Sequence, residues 1–269
     1  DRDVYNLLDD SDPHLRFTER ENQLGCDGLI KIGIPEGKKF ICLNVRDSSY
    51  LHQTLPWKQW DYHDYRDSDI NNYMQSADAL TKRGYFVFRM GAKVKKSFET
   101  NNSMVIDYAT NGMRTDFMDI YLGANCRFCI STSTGFDAIP LIFRRPILYT
   151  DFVHIELFNS FTRSSITLFK HHFLKERKKN MKISEILESG AGRYFYTSKF
   201  HDHGIELINN SPDELESAVL EMDDRLNGVT DKEYDYLQKN VKKWYSGSEY
   251  HGEILSRIST KCLLNDALL

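Results

Sequence analysis

The sequence contains no apolar run approaching the roughly 20 residues that span a bilayer, and its opening, Asp1-Arg2-Asp3-Val4, has no apolar core of a secretory signal. These absences argue against a helical membrane protein. They lead to the expectation of a cytoplasmic one, with peripheral contact at the inner face of the membrane as its furthest association with lipid. A surplus of positive charge is also missing. Lys and Arg number 35 against 39 Asp and Glu, a net charge of −4, so the broad basic field that tracks nucleic acid is absent and no nucleic-acid partner is expected. Cysteine is scarce and odd in number, five in 269 residues, and Cys42, Cys126 and Cys129 fall in apolar segments where a thiol acts as a small core side chain. A disulfide framework is therefore not expected. No internal repeat or low-complexity segment interrupts the chain. An initiator methionine is lacking as well, which points to processing or to excision from a longer polypeptide.

What is present is apolar material enough for a sizeable core, 41% of residues, laid out in alternating elements. Phe40-Ile41-Cys42-Leu43-Asn44-Val45 is a short apolar run of the kind buried on both faces of a parallel sheet. From Ile70 to Arg83 the residues Ile70, Tyr73, Met74, Ala77 and Leu80 recur at helical spacing, with Asp69 as cap and Gly84 as stop. Tyr85 to Met90, Met104 to Ile106, Cys126 to Ile130 and Pro146 to Tyr149 read as further strands. Phe117, Ile120 and Tyr121 give one apolar face to a helix ending near Gly123. This alternation predicts an α/β fold: a Rossmann-like parallel sheet with helices on both faces. The last hundred residues read as mostly helical and packed on the sheet's flank. Ser211-Pro212-Asp213-Glu214 combines an N-cap, a first-turn proline and a capping-box glutamate. Helical patterns follow at Tyr234 to Trp244 and Glu253 to Leu264, and Gly204 to Ile208 is a candidate strand.

Open parallel sheets bind ligands at the carboxyl ends of their strands, and here those ends are polar. Arg46 and Asp47 follow the first strand, Arg89 and Gly91 the second, and Asp107 the third, with Arg114 and Asp116 beyond it. Arg46, Arg89 and Arg114 converging on one anion would make a diphosphate site, because guanidinium donates two parallel hydrogen bonds to phosphate. The competing reading pairs each arginine with a carboxylate at the rim. After the fourth strand, Ser131-Thr132-Ser133-Thr134-Gly135 is either a phosphate cradle, offering backbone N–H groups and a helix amino terminus, or an ordinary N-cap turn. Asp137 is placed to hydrogen-bond a ribose hydroxyl or to complement the helix dipole.

With Gly33-Ile34-Pro35-Glu36-Gly37-Lys38-Lys39, Tyr62-His63-Asp64-Tyr65-Arg66-Asp67, Ile106 to Asp119, Gly135-Phe136-Asp137-Ala138-Ile139-Pro140 and Arg144-Arg145-Pro146, these residues resemble the glycosyltransferases of bacterial surface-polysaccharide gene clusters, over residues 30 to 265. More distantly they are similar to the donor domain of GT-B enzymes such as heptosyltransferases. Val45-Arg46-Asp47 is similar to a fucosyltransferase motif in which an arginine meets the β-phosphate, although the motif's histidine and glycine are absent. The resemblance implies a GT-B carboxy-terminal domain, residues 31–269, that binds a nucleotide-sugar. Residues 1–30 would be a linker remnant, and an amino-terminal acceptor domain would lie outside this chain. The activity implied is sugar transfer from a nucleotide-sugar donor to a glycan or lipid-linked glycan acceptor in surface-polysaccharide synthesis. No metal or cofactor is expected, the arginines stabilising the diphosphate leaving group.

Arg46 and Arg114 are the residues expected to do so. Asp47, with Asp64 and His63, is a candidate base. Arg89, Asp107, Asp116, Ser131, Thr132, Ser133, Thr134, Gly135, Asp137, His63, Tyr65 and Arg66 complete the expected substrate-binding set. The alternatives are a sugar-nucleotide epimerase sharing the donor site and a non-catalytic nucleotide-sugar-binding module. A Gly-x-Gly-x-x-Gly fingerprint is lacking around Gly91, which argues against a dinucleotide dehydrogenase.

Four rival features are weaker. Asp67-Ser68-Asp69 matches the Asp-x-Asp pattern of manganese-dependent transferases but sits before a helix, where aspartates cap. Cys126 and Cys129, three apart on a strand, point to opposite faces. His201-Asp202-His203 has no second ligand pair. Lys170 to Lys182, with six basic residues, reads as a solvated loop or as a contact for an anionic lipid surface.

Overall fold

The computed structural model describes residues 3–229 and 233–268, so Asp1, Arg2 and Leu269, at the outer ends of the two expected segments, lie outside it. In chain order the strands are β1 (Phe40–Asn44), β2 (Phe86–Arg89), β3 (Val105–Ile106), β4 (Cys129–Ser131), β5 (Ile147–Phe152), β6 (Ile166–Phe169), β7 (His171–Leu174), β8 (Lys179–Asn180), β9 (Ile205–Ile208) and β10 (Arg257–Ile258). The helices are α1 (Glu19–Ile32), α2 (Ser49–Thr54), α3 (Met74–Lys82), α4 (Asp116–Asn125), α5 (Ala138–Ile142), α6 (Ile183–Ser189), α7 (Thr197–Asp202), α8 (Pro212–Leu226), α9 (Gln238–Trp244) and α10 (Thr260–Leu268).

Seven strands form one sheet in the order β10-β6-β5-β4-β1-β2-β3, every neighbouring pair parallel. Counted from β3 this is the Rossmann order 3-2-1-4-5-6 with β10 added at the far edge, and the direction of winding reverses between β1 and β4. Strand pleating sends Phe40 and Cys42 to one face and Ile41 and Leu43 to the other. Ala77 and Leu80 of α3, with Leu215, Val219 and Met222 of α8, seal the second face. Met118, Tyr121 and Leu122 of α4 and Val241 of α9 lie in the core on the first. The expected Rossmann-like parallel sheet with helices on both faces is present. No helix among the described residues is long and apolar enough to cross a membrane.

Local signals explain where elements start. Ser211 Oγ accepts from the Glu214 backbone N–H while the Glu214 carboxylate accepts from that of Ser211, closing the capping box of α8. The Asp69 side chain accepts from Asn71 N as expected, although the first turn, Ile70–Tyr73, is a 3-10 turn that precedes α3. In α4 the buried face is carried by Met118, Tyr121 and Leu122, whereas Ile120, expected on that face, is exposed.

The carboxy-terminal hundred residues differ from the mostly helical expectation. β7, β8 and β9 make a small antiparallel sheet in the order β8-β7-β9, so the strand expected at Gly204 to Ile208 forms, but outside the main sheet. The basic segment Lys170 to Lys182 holds the β7–β8 hairpin and is not a plain loop. Helix α10 begins only at Thr260, because the preceding Arg257–Ile258 pairs with β6. The boundary expected at residue 30 falls inside α1, whose capping box pairs Thr18 with Glu21. Phe17, just before it, stacks on Phe143 at a ring distance of 5.4 Å. Gly25 and Gly28 sit so close to Tyr121 and Met118 of α4 that a Cβ at either would collide.

Candidate functional site

A cavity of about 420 Å³ opens where the winding reverses, lined by Asn44, Arg46, Asp47 and Tyr50 beyond β1, by Met90 to Val94 beyond β2, and by Thr134 to Phe136 beyond β4. Arg66, from the 3-10 helix Asp61–Arg66, and Asp119 of α4 complete the wall. Backbone and side chain tie the exits of β1 and β4 together. Arg46 N donates to Thr132 Oγ1 at 2.8 Å, Thr132 N to Asn44 O at 3.2 Å, and Asn44 Nδ2 to Thr134 Oγ1. Ser133 at the crest of the loop has φ +61°, a left-handed conformation that costs a non-glycine residue energy and is held here by its neighbours. Its carbonyl accepts from the Arg66 guanidinium.

Cationic groups dominate the wall: Arg46, Arg66 and Lys93 against Asp47 and Asp119. Arg46 forms an ion pair with Asp67 at 3.2 Å. Burial, and then the nearby Arg46, pull the Arg66 guanidinium below its ordinary pKa. His63 on the same 3-10 helix is lowered by burial and then by Arg46 and Arg66. A guanidinium depressed by burial and by a second cation beside the same cavity marks a site whose charge an entering anion would relieve. Both carboxylates of the wall have partners, although Asp119 Oδ1 is buried without one. Asp47 accepts from Ser49 N at 2.9 Å and Lys95 N at 2.8 Å, and Asp119 accepts from Arg114 at 2.6 Å.

The three arginines expected to converge do not. Arg89 is 1% exposed and spends its guanidinium on Asp107 and the Lys96 carbonyl, each at 3.1 Å. Arg114 pairs with Asp116 and Asp119 and stands behind the latter. For these two the rim-pairing reading holds, and only Arg46 reaches the cavity, where Arg66 joins it. Asp107 also accepts from Phe98 N and Thr110 Oγ1, fixing the turn after β3, and Asp116 is exposed.

Within the loop three hydroxyls are spent on the protein itself. Ser131 Oγ donates to Asp137, Thr132 Oγ1 is taken by Arg46 N, and Thr134 caps the turn beginning at Gly135. Thr134 and Gly135 face the cavity. Asp137 is buried and held by Ser131 Oγ and Thr134 N, so it braces the loop and does not reach out to a ribose; burial pushes its carboxyl up to about 6. Tyr65 points inward, its hydroxyl 2.9 Å from His154 Nε2. Asp64 faces a separate groove of about 710 Å³ beside β9, and burial and then Asp61 raise its pKa.

Asn44, Lys93 and Asp119 were not foreseen. Asn44 is the last residue of β1, and its place at a carboxyl strand end was the available signal. Comparison with protein-family models, with curated protein sequences and with solved structures gives no match for this chain. Its chemistry therefore rests on the cavity.

The rival motifs find other uses. Asp67 pairs with Arg46, and Asp69 caps a helix and meets Lys96 at 3.3 Å. Cys126 and Cys129 are buried free thiols, and His203 Nδ1 bonds the Lys199 carbonyl. A cavity of about 500 Å³ between the antiparallel sheet and α8 contains His171 and Glu214. These two pair at 3.0 Å, and Asn265 donates to the same carboxylate, so its polar groups largely satisfy each other.

Proposed function

We propose that this chain is the nucleotide-sugar-binding unit of a glycosyltransferase of the GT-B kind, with the diphosphate of the donor seated between Arg46 and Arg66. The observation that carries the reading is the placement of these two guanidinium groups in one cavity at the reversal point of a Rossmann-ordered sheet. In the transfer, an acceptor oxygen bonds to the anomeric carbon, the bond from that carbon to the β-phosphate oxygen breaks, and the diphosphate leaves with the electron pair. Donors already aimed at the leaving oxygens lower the barrier without reorganising. The apolar side of the cavity, Tyr50, Leu51, Met90 and Val94, suits a base or ribose. The acceptor is a glycan or lipid-linked glycan presented by a further domain.

One observation favours a second reading, a binding unit that does no chemistry by itself. Asp47 accepts a backbone N–H at each carboxylate oxygen, and Asp119 is paired with Arg114 through Oδ2 with only its Oδ1 left unpartnered, so neither stands as a free carboxylate base for the acceptor proton.

Thermal-shift and calorimetric titration with UDP, GDP, ADP and their sugars tests the reading. A ligand at a hundred times its Kd stabilises by about 2.7 kcal/mol. Stabilisation by one nucleotide family, abolished in Arg46→Ala, is the expected result, and no shift with any of them removes the donor site from this chain. Release of free diphosphate on adding an acceptor separates transfer from binding alone.

A further inference from the structure

Lys170 directly follows β6, and its side chain is buried, whereas the lysines and arginine of the exposed turn 175–178 further along the same basic segment face solvent. Its backbone N–H continues the β5–β6 ladder by donating to Phe152 O at 3.0 Å. Its Nζ donates to two carbonyls, Asp67 O at 2.7 Å and Tyr65 O at 3.2 Å. Those are the carbonyls on either side of Arg66. The ammonium thus grips the backbone of the one residue whose guanidinium reaches the cavity from outside the strand ends, and of Asp67, which pairs with Arg46.

The anchor behind Lys170 is itself fixed. Asp151 supplies the opposite charge that most offsets the burial of Lys170. It is buried at φ +48° inside β5, where the register with β6 shifts. Its backbone N donates to Asn210 Oδ1 at 3.0 Å, and its carboxylate accepts from Asn210 N at 2.7 Å and from the Tyr73 hydroxyl at 3.2 Å. Asn210 Nδ2 in turn donates to Phe169 O, the residue before Lys170, at 2.8 Å. Burying a charge near an opposite one is a weak source of stability, since apolar replacements of both are often neutral or stabilising. The directional bonds of Lys170 to two specific carbonyls are what an apolar side chain would not reproduce.

We infer that Lys170 is a positioning residue for the anion site: it holds the Tyr65–Asp67 backbone so that Arg66 and, through Asp67, Arg46 face the cavity together. The inference rests on the proposed donor site for its functional arm, while its structural arm stands apart from any ligand.

Lys170→Met alone strands the charge of Asp151, so the test pairs it with Lys170→Met/Asp151→Asn, which removes both charges at once. Folding of each is checked by circular dichroism and thermal melting. The first readout is the heteronuclear NOE of the Arg66 Nε–H, assigned by its loss in Arg66→Ala. It is expected to be high in the unaltered chain and low in the folded variant. The second is calorimetric titration with inorganic pyrophosphate and with UDP. The variant is expected to bind about tenfold more weakly, the scale of one charged hydrogen bond. Adding Arg66→Ala to it should cost less than Arg66→Ala costs the unaltered chain. An unchanged NOE overturns the inference whatever the ligands do. A mobile Arg66 with unchanged affinity overturns its functional half. If neither probe binds the unaltered chain, the donor-site reading fails, and the NOE alone decides what Lys170 holds.

Discussion

The backbone N–H of Arg46 donates to Thr132 Oγ1 at 2.8 Å, joining the exit of β1 to the exit of β4 at the point where the sheet reverses its winding. One arginine side chain is thereby aimed into the cavity by a hydroxyl from the next strand. Thr132→Val keeps the shape and removes the acceptor, leaving a backbone donor unpaired at a cost of about 1–3 kcal/mol. Urea unfolding should show that loss, and nucleotide affinity should fall with it.

Arg46→Ala and Arg66→Ala each remove a charged donor from the same anion, so each is expected to weaken UDP or pyrophosphate by about tenfold to a hundredfold. On the proposed reading the two residues share one ligand, so their effects should not add in the double variant. Arg89→Ala, which breaks a buried pair with Asp107, should instead lower the melting temperature. Calorimetry on all four variants separates the roles. Equal loss of affinity in Arg89→Ala without loss of stability would contradict this assignment.

Buried groups of opposite type titrate in the same acid range. Burial pulls His154 and His172 down to about 4, below the ~6.5 of an unfolded histidine. Their contribution is therefore full above pH ~6.5 and is lost as the pH falls toward 4. Burial pushes Asp137 up to about 6, above the ~3.9 of an unfolded aspartate. Its contribution is full below pH ~4 and is lost as the pH rises through 6. A shift of two units is worth ~3 kcal/mol, and burial also raises Asp64, Asp67, Asp119, Asp151 and Asp266, which act in the same direction as Asp137. The roles are therefore read from variants in urea at pH 6.5 and 5. Relative to the unaltered chain, His154→Gln/His172→Gln should gain stability as the pH falls over that range, and Asp137→Asn should lose it. A histidine variant whose pH profile tracks that of the unaltered chain would contradict the assignment.

At Ser133 the left-handed backbone decides the sign of a substitution. Ser133→Gly should be neutral or slightly stabilising, while the β-branched Ser133→Val should cost about 1–2 kcal/mol. Denaturant midpoints measure both, and equal midpoints would show that the loop does not hold this conformation.

Much of the fold was legible because its signals are local. The runs around β1, β2, β4 and β5 are apolar and short, and α8 carries a full capping box. β6 was hidden because Ile166-Thr167-Leu168-Phe169 runs straight into Lys170-His171-His172, and its partners lie far along the chain. Of the site, Arg46 and the Thr134–Gly135 loop were legible from their place after strands, and Arg66 from its motif. Arg89 and Arg114 were not separable from ligand-binding arginines, because the carboxylates that occupy them, Asp107 and Asp119, look in a sequence like any other rim acid. Lys170 was counted with a solvated basic run, and only the tertiary structure shows that its carbon stem is buried.

The cavity wall is drawn entirely from residues between Asn44 and Phe136, while β5, β6 and the antiparallel sheet lie behind it. The half of the chain that lines the cavity is thus largely distinct from the half that does not. On the proposed reading, a change of nucleotide preference would need new side chains on the segments after β1 and β2, with no strand pairing redrawn. The carboxy-terminal half reaches back to the cavity wall through one buried amine, that of Lys170 on the carbonyls flanking Arg66.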